Sequence, residues 1–410
     1  MRILYLCHRI PFPPDKGDKI RSYHQVEHLG RRHEVDLFTL IDDPADRRHV
    51  DPLRGLVGRR TVEEIDPPAA RVRALIGLAT GEPLSVRAFR NAPLRDAVRR
   101  AFAEEAYDLA FVFSSNMVPY LDGFEGPRVL DYVDVDSAKW TAYADGAALP
   151  LRWLYAREGR RLRSVEAAAA ARAELTVVCA EKEEEELLRF ASPRRVEVVP
   201  NGTDVTRFSP GATDVPPFDV VFTGAMDYRA NVDAIVWFAD ECLPRIRERR
   251  PETGLSIVGS NPTREVRALG ERPGVTVTGR VEEVPPYLRA ARVAVAPLRV
   301  ARGIQNKVLE AMACGTPVVA TGAALGGIGA PPAVARADDP AAFADAVAAL
   351  LADEAVRTAR GREGREWVVQ HFDWEARLGQ LEALLVEAAS RPGEAPVEDG
   401  GGAGVPSPTR

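Results

Sequence analysis

Residues 302–321 constrain the fold more than any other stretch: Arg-Gly-Ile-Gln-Asn-Lys-Val-Leu-Glu-Ala-Met-Ala-Cys-Gly-Thr-Pro-Val-Val-Ala-Thr. They read as loop, helix and strand. Val308, Leu309, Ala311, Met312 and Ala313 recur at helical spacing from a start near Gly303. Gly315 stands where a helix ends most easily, in the left-handed conformation. Thr316-Pro317 then opens Val318-Val319, the β-branched run of a buried parallel strand, which points to an α/β fold. Lys307 and Glu310 are three apart and share one face. Two readings follow. They form a surface ion pair, or they serve a nucleotide, with the helix start and Lys307 favouring phosphate and Glu310 accepting from two ribose hydroxyls.

The remainder repeats the pattern. Arg2–Cys7 reads as a strand, 8–19 as a Pro-broken loop, 20–32 as a helix and 33–40 as a strand, the unit of an open parallel sheet. The first turn lacks Gly-x-Gly-x-x-Gly, which argues against hydride transfer on a dinucleotide. Helices are expected at 68–80, 93–106 and 150–172, and strands at 109–113 and 128–133. Asp131, Asp134 and Asp136 crowd one strand end. Their closeness would raise at least one pKa, unless Asp136 or Ser137 caps the next helix. Residues 150–172 carry six Arg with Trp153 and Tyr155, either a solvated face or a surface for anionic lipid. The acids at 181–186 fit the first turn of a helix.

Pro200-Asn201-Gly202 is a strong breaker. The reading is a domain at 1–199, a linker at 200–217, a second domain at 218–372 and a helix at 373–390 packing back on the first. A tail follows at 391–410, whose Gly, Pro and acidic content points to disorder. In the second domain strands are expected at 219–223, 255–259, 275–281 and 293–298. Helices are expected at 232–249, capped by Asn231, and at 340–352, 354–371 and 375–389.

With 410 residues there is room for two domains, and the net charge of −6 argues against nucleic acid. Cys7, Cys179, Cys242 and Cys314 show no paired spacing, which fits a reducing compartment better than disulfides or zinc. Met1-Arg2 leads straight into a strand and no run of 18 apolar residues exists. The expectation is therefore a cytoplasmic chain with no metal motif and no cofactor.

The stretch from Gly303 to Ala320 closely resembles the donor-site signature of family 4 retaining glycosyltransferases. Pro200-Asn201-Gly202-x-Asp204-x-x-x-Phe208-x-Pro210 resembles the interdomain segment of that family. The resemblance implies the GT-B fold, two Rossmann-like domains facing a cleft, and a nucleoside-diphosphate sugar as donor. It places Glu310 on the ribose. Lys307 and the backbone of Gly303, Ile304, Gln305 and Asn306 fall beside the diphosphate and sugar, Gly224 at a close backbone approach, and Arg280 and Val281 at the base. The first loop would face the acceptor through His8, Gly17, Asp18 and Arg21. Asp134 stands where many relatives carry a His near the reacting centre, so Asp134 and Glu310 are the catalytic candidates.

Two departures matter. Ala225 and Ala230 replace a basic pair that grips the donor diphosphate in relatives, leaving Arg229, Lys307 or Arg302 to supply the charge. Arg302 stands where relatives carry a Glu that touches the sugar, and an Arg there suits phosphate or a sugar carboxylate. The first loop and Asp-Tyr-Val-Asp-Val-Asp-Ser-Ala-Lys-Trp at 131–140 most resemble sugar transferases of exosortase/PEP-CTERM exopolysaccharide systems. That implies a bacterial enzyme with a lipid-linked saccharide acceptor at the inner face of the plasma membrane. The rival readings are a catalytically degenerate sugar-nucleotide-binding protein and a sugar-nucleotide 2-epimerase.

Overall fold

The computed structural model describes residues 1–14, 17–301, 303–329 and 331–390. Arg302 and the tail at 391–410, both the subject of expectations above, lie outside the described residues. The first sheet has seven strands: β1 (Arg2–Cys7), β2 (Glu34–Ile41), β3 (Arg60–Glu64), β4 (Leu109–Phe113), β5 (Arg128–Val133), β6 (Leu175–Val178) and β7 (Val196–Val198). Their order is β3-β2-β1-β4-β5-β6-β7, and every pairing is parallel. Ile3, Leu4, Tyr5, Leu6, Phe38 and Phe111 are fully buried. A parallel sheet covered on both faces requires such unbroken apolar runs.

The second sheet holds β8 (Phe218–Thr223), β9 (Leu255–Val258), β10 (Val275–Gly279), β11 (Ala291–Ala296), β12 (Val318–Ala320) and β13 (Ala335–Arg336) in the order β10-β9-β8-β11-β12-β13, again all parallel. Strands β3, β6 and β13 are additions to the sequence reading. All three are short, and β13 has two residues.

The chain crosses between domains twice, and the crossings touch. The Thr203 N–H donates to the Phe372 carbonyl at 2.6 Å, and Thr203 bridges Asp373. Beyond that bridge the Trp374–Ser390 helix lies on the first domain. Its Trp374, Leu378, Leu381, Leu384 and Leu385 share one buried cluster with Ile3, Tyr5 and Phe111. Polar contacts fix the same seam: His28 Nε2 lies 2.9 Å from Glu382, and Arg32 donates to Glu375 at 2.7 Å.

Two helix expectations need correction. The helix in 302–321 starts at Asn306, three residues later than read, and runs to Ala313. The single helix at 232–249 is three pieces: Arg229–Trp237, a π-helical turn at Phe238–Cys242 and Leu243–Arg249. Pro244 explains the break, because it has no N–H to donate and its ring collides with the preceding turn. Asn231 is not the cap. Tyr228 takes that position and Asn231 is buried inside the helix. Among the described residues no helix is long and apolar enough to cross a membrane.

Candidate active site

The Asn306–Ala313 helix presents its first turn to the space between the domains. Val308, Leu309, Ala311, Met312 and Ala313 bury one side in the second domain. Its far end closes as a Schellman motif: Gly315, at φ 77°, donates to the Met312 carbonyl at 2.9 Å and Thr316 donates to Ala311 at 3.0 Å. Anchored there, the helix projects Asn306 and Glu310 into an interdomain cavity of about 200 Å³. The first domain contributes Pro14, Ile20, Tyr23 and His24 to its wall. The crossing segments contribute Gly202, Thr203, Asp204, Arg207, Phe208 and Trp374.

Lys307 and Glu310 do not form the surface ion pair. The Lys307 Nζ donates to Asn231 Oδ1 at 2.6 Å and sits 5.2 Å from the centre of the Phe222 ring. Among the described residues the Glu310 carboxylate has no hydrogen-bond or ion-pair partner, and Asn306 Oδ1 is buried with none. Burial pushes the Glu310 carboxyl up to about 7, with Lys307 and Arg207 pulling the other way. Burial also draws Lys307 down to about 8, opposed by Glu310. The arrangement is an amine and a carboxyl without a direct ion pair, and burial disfavours the charged form of each.

Asn231 ties this helix to the loop after β8. Its Nδ2 donates to the Ala225 carbonyl at 2.9 Å while its Oδ1 accepts from Lys307. Gly224 begins that loop, and a Cβ there would stand 2.7 Å from Asn231 Nδ2. Arg229 is exposed at the first residue of the following helix. Arg280 and Val281 line a second, wider cavity of about 670 Å³. Arg207 of the first cavity wall and Glu283 of the second form an ion pair of 2.9 Å.

Asp134 faces this site from the first domain. A Cβ on Gly303, which has φ 62°, would stand 3.0 Å from Asp134 Oδ1. Gly303 thus brings its loop against Asp134, while Ile304 packs into the core of the second domain and Gln305 takes the helix cap position. The three aspartates do not form one like-charge cluster. Lys139 Nζ lies 3.0 Å from both Asp134 and Asp136, and Cys179 Sγ lies 3.3 Å from Asp134. Asp131 is buried elsewhere, accepting from Arg21 at 2.8 Å and Gln25 at 2.6 Å. Sequence reasoning missed Lys139. It also missed Glu183, whose carboxylate accepts the Val135 N–H at 2.8 Å and so steadies the Asp134 loop. Lys139 is one of only five lysines in the chain, and that was its one signal.

The first-loop candidates divide. His8 is buried at the end of β1, stacked on Phe113, with Nε2 3.4 Å from Asp18. Burial opposes ionisation of Asp18, but His8 and Arg9 hold its carboxyl well below the usual range. Gly17 is exposed at the helix start. Arg21 is buried among residues of its own domain and of the crossing segment. Its side chain is 1% exposed and spans Asp131, the Val199 carbonyl at 2.9 Å and Asn201 Oδ1 at 2.9 Å.

The basic helix at 150–172 is Leu151–Ala170, and its arginines do not share one face. Arg157 is buried and donates to the Gly77 carbonyl at 2.6 Å, and Arg163 stacks over Phe190. Near its start Tyr143, Leu149, Leu151 and Trp153 are exposed beside Arg152. Among the described residues no group of three or more His, Cys, Asp or Glu is placed to hold a metal ion.

Residues 217–353 match the family model described as glycosyl transferases group 1. The chain is 32% identical over 225 residues to the GDP-mannose-dependent alpha-(1-6)-phosphatidylinositol monomannoside mannosyltransferase of Mycolicibacterium smegmatis. That match spans 48% of this chain and 57% of the mannosyltransferase, little more than half its length. It is 28% identical to the D-inositol 3-phosphate glycosyltransferase of Corynebacterium jeikeium, across 88% of this chain and 89% of that enzyme. Among solved structures, sucrose-phosphate synthase from Thermosynechococcus elongatus superposes with a TM-score of 0.69 at 22% identity, covering 94% of this chain and 98% of that one. Anabaena HepE in complex with UDP gives a TM-score of 0.69 at 16% identity over 94% and 100%. The fold is GT-B.

Proposed function

We propose that this chain is a glycosyltransferase that moves a sugar from a nucleoside diphosphate to an acceptor hydroxyl, with retention of configuration. The observation that carries the reading is Glu310. It is an unpartnered carboxylate in the second turn of the Asn306–Ala313 helix, in an interdomain cavity, with Lys307 one turn nearer the helix start. Such a carboxylate accepts from ribose hydroxyls, while Lys307 and the helix N-terminus meet the diphosphate. Support comes from the family match over 217–353 and from relatives whose names specify GDP-mannose, inositol 3-phosphate and glycosyl transfer.

In the proposed reaction the bond from the sugar C1 to the diphosphate oxygen breaks. The acceptor oxygen bonds to C1 from the same face, and its proton leaves with the diphosphate. Lys307 and the helix N-terminus stabilise the charge that develops on the leaving group. Asp134, held by Lys139 against Gly303, orients sugar hydroxyls at the reacting centre. A lipid-linked saccharide acceptor and a role in exopolysaccharide synthesis are the finer part of the proposal. They rest on the first-loop and 131–140 residues and on the exposed Tyr143, Leu149, Leu151 and Trp153, which suit the face of an anionic bilayer.

The test is a thermal-shift titration with UDP, GDP, ADP and dTDP on the wild type and on Glu310→Ala. A ligand that binds only the native state raises Tm by mass action. A shift with one nucleotide that Glu310→Ala abolishes is the expected result. A shift that survives the substitution unchanged refutes the assignment of this helix. Incubating the matching sugar nucleotide with lipid-linked acceptors then separates an enzyme from a binding protein that no longer turns over.

A further inference from the structure

A third cavity, of about 260 Å³, lies in the first domain apart from the two already described. It is framed by the Pro67–Thr80, Leu84–Ala88 and Ala92–Glu104 helices. Arg73, Arg87, Arg90 and Arg95 line it, with Asn91 and Tyr120. Among the described residues two carboxylates pair with these arginines. Glu82 pairs with Arg87 at 2.8 Å and with Arg90, and Asp96 pairs with Arg95 at 3.0 Å. Four cations therefore face two anions, in a chain whose net charge is −6. The Nε atoms of Arg73 and Arg90 are buried and have no hydrogen-bond partner. The Ala92–Glu104 helix also begins here, capped by Asn91, so its positive end adds to the field.

The position of the cavity matters as much as its charge. The Tyr120 hydroxyl donates to the Phe89 carbonyl at 2.7 Å and accepts from the Asn91 N–H at 2.8 Å. Phe89 in turn packs its ring edge on His8, with centroids 5.5 Å apart. Phe89 thus links Tyr120, in the cavity wall, to His8 at the start of the first loop. On the other side Val72 and Ile76, from the same helix as Arg73, are exposed.

We propose that this cavity binds a phosphate ester. Guanidinium forks match phosphate oxygens in pairs, and four guanidinium side chains line this one cavity. A cavity of this size is below the usual range for whole drug-sized ligands and suits a head group. The phosphate has two possible sources, the acceptor itself or the headgroups of a bilayer. The first rests on the glycosyltransferase reading; the binding itself does not.

The experiment uses the full chain with inorganic pyrophosphate as probe, read by thermal shift. The proteins are wild type, Lys307→Ala and the double variant Arg73→Gln/Arg95→Gln. Arg87 and Arg90 stay in place because Glu82 depends on both. The expected result is a pyrophosphate shift in wild type and in Lys307→Ala, with apparent affinity at least about tenfold weaker in the double variant. No shift, or a shift lost in Lys307→Ala and intact in the double variant, overturns the proposal. Cosedimentation with phosphatidylglycerol and phosphatidylcholine vesicles then assigns the source. Preference for phosphatidylglycerol that the double variant loses points to headgroups, and pyrophosphate binding without that preference points to the acceptor. Sugar-nucleotide shifts on the same samples are expected to be equal in wild type and the double variant, which tests the glycosyltransferase reading separately.

Discussion

Affinity for an intact sugar nucleotide is expected to peak in a narrow window, between about 7 for Glu310 and about 8 for Lys307. Burial favours the protonated Glu310, so below its pKa the carboxyl is neutral and loses acceptor capacity toward the ribose. Burial favours the neutral Lys307, so above its pKa the charge facing the diphosphate is gone. Each limb falls about tenfold per pH unit once past its pKa. Stability of the free protein runs the opposite way. A raised carboxyl pKa contributes stability at low pH that is lost as pH rises through about 7. A depressed lysine pKa contributes stability at high pH that is lost as pH falls through about 8. Both groups are charged and poorly solvated only between these values, so the free protein is least favoured where the donor binds best. The two penalties come to roughly 3 kcal/mol each at about 1.36 kcal/mol per pH unit, reduced by screening where the site opens to the cleft. The assay is isothermal titration with UDP-glucose and GDP-mannose from about pH 5.5 to about 9.5. Their diphosphates are esterified at both ends and do not titrate in that range. Glu310→Gln removes the acid limb, and Lys307→Arg removes the alkaline limb because a guanidinium stays charged. A flat wild-type profile, or an acid limb that persists in Glu310→Gln, refutes the reasoning.

Other consequences can be checked on single variants. Arg21→Met leaves Asp131 buried without its cation and is expected to destabilise the first domain by about 3–5 kcal/mol in urea unfolding. A change under about 1 kcal/mol with weakened acceptor use would return Arg21 to the acceptor site. Gly303→Ala combines a left-handed backbone with a methyl 3.0 Å from Asp134. The strain of about 1–3 kcal/mol should displace the donor loop and lower sugar transfer at least about tenfold; transfer at the wild-type rate contradicts the contact. The pair Leu149→Ser and Trp153→Ser, both exposed, should leave Tm unchanged and weaken binding to anionic vesicles. Equal vesicle binding would remove this surface from the membrane argument.

Local chemistry was the legible part. The 302–321 stretch announced its helix, its stop and its strand, because a Schellman glycine and a β-branched run act within a few residues. Interactions that span the chain were not legible. Asn231 looked like a cap because it precedes a helical run, but its partner Lys307 lies 76 residues away. Arg21 sits on the first helix like an acceptor residue, yet its partners Asp131 and Asn201 lie 110 and 180 residues on. The crowding of Asp131, Asp134 and Asp136 in sequence is undone because the strand ends at Val133, whose φ is 62°, so Asp131 stays on the sheet while Asp134 lies on the following loop and Asp136 opens the next helix. Short strands such as β13 carry too few residues to show a period.

The helix at Trp374–Ser390 also dictates an order of events during synthesis. The first domain emerges from the ribosome before the second, but its core lacks Trp374, Leu378, Leu381, Leu384 and Leu385 until the second domain has also been made. Until then the face carrying Ile3, Tyr5 and Phe111 stays uncovered, and exposed apolar faces of that kind attract chaperones and other nascent chains. The second domain, whose core draws on one continuous span of chain from Phe208 to Phe372, is free to mature first. The half of the molecule translated first is thus the half completed last.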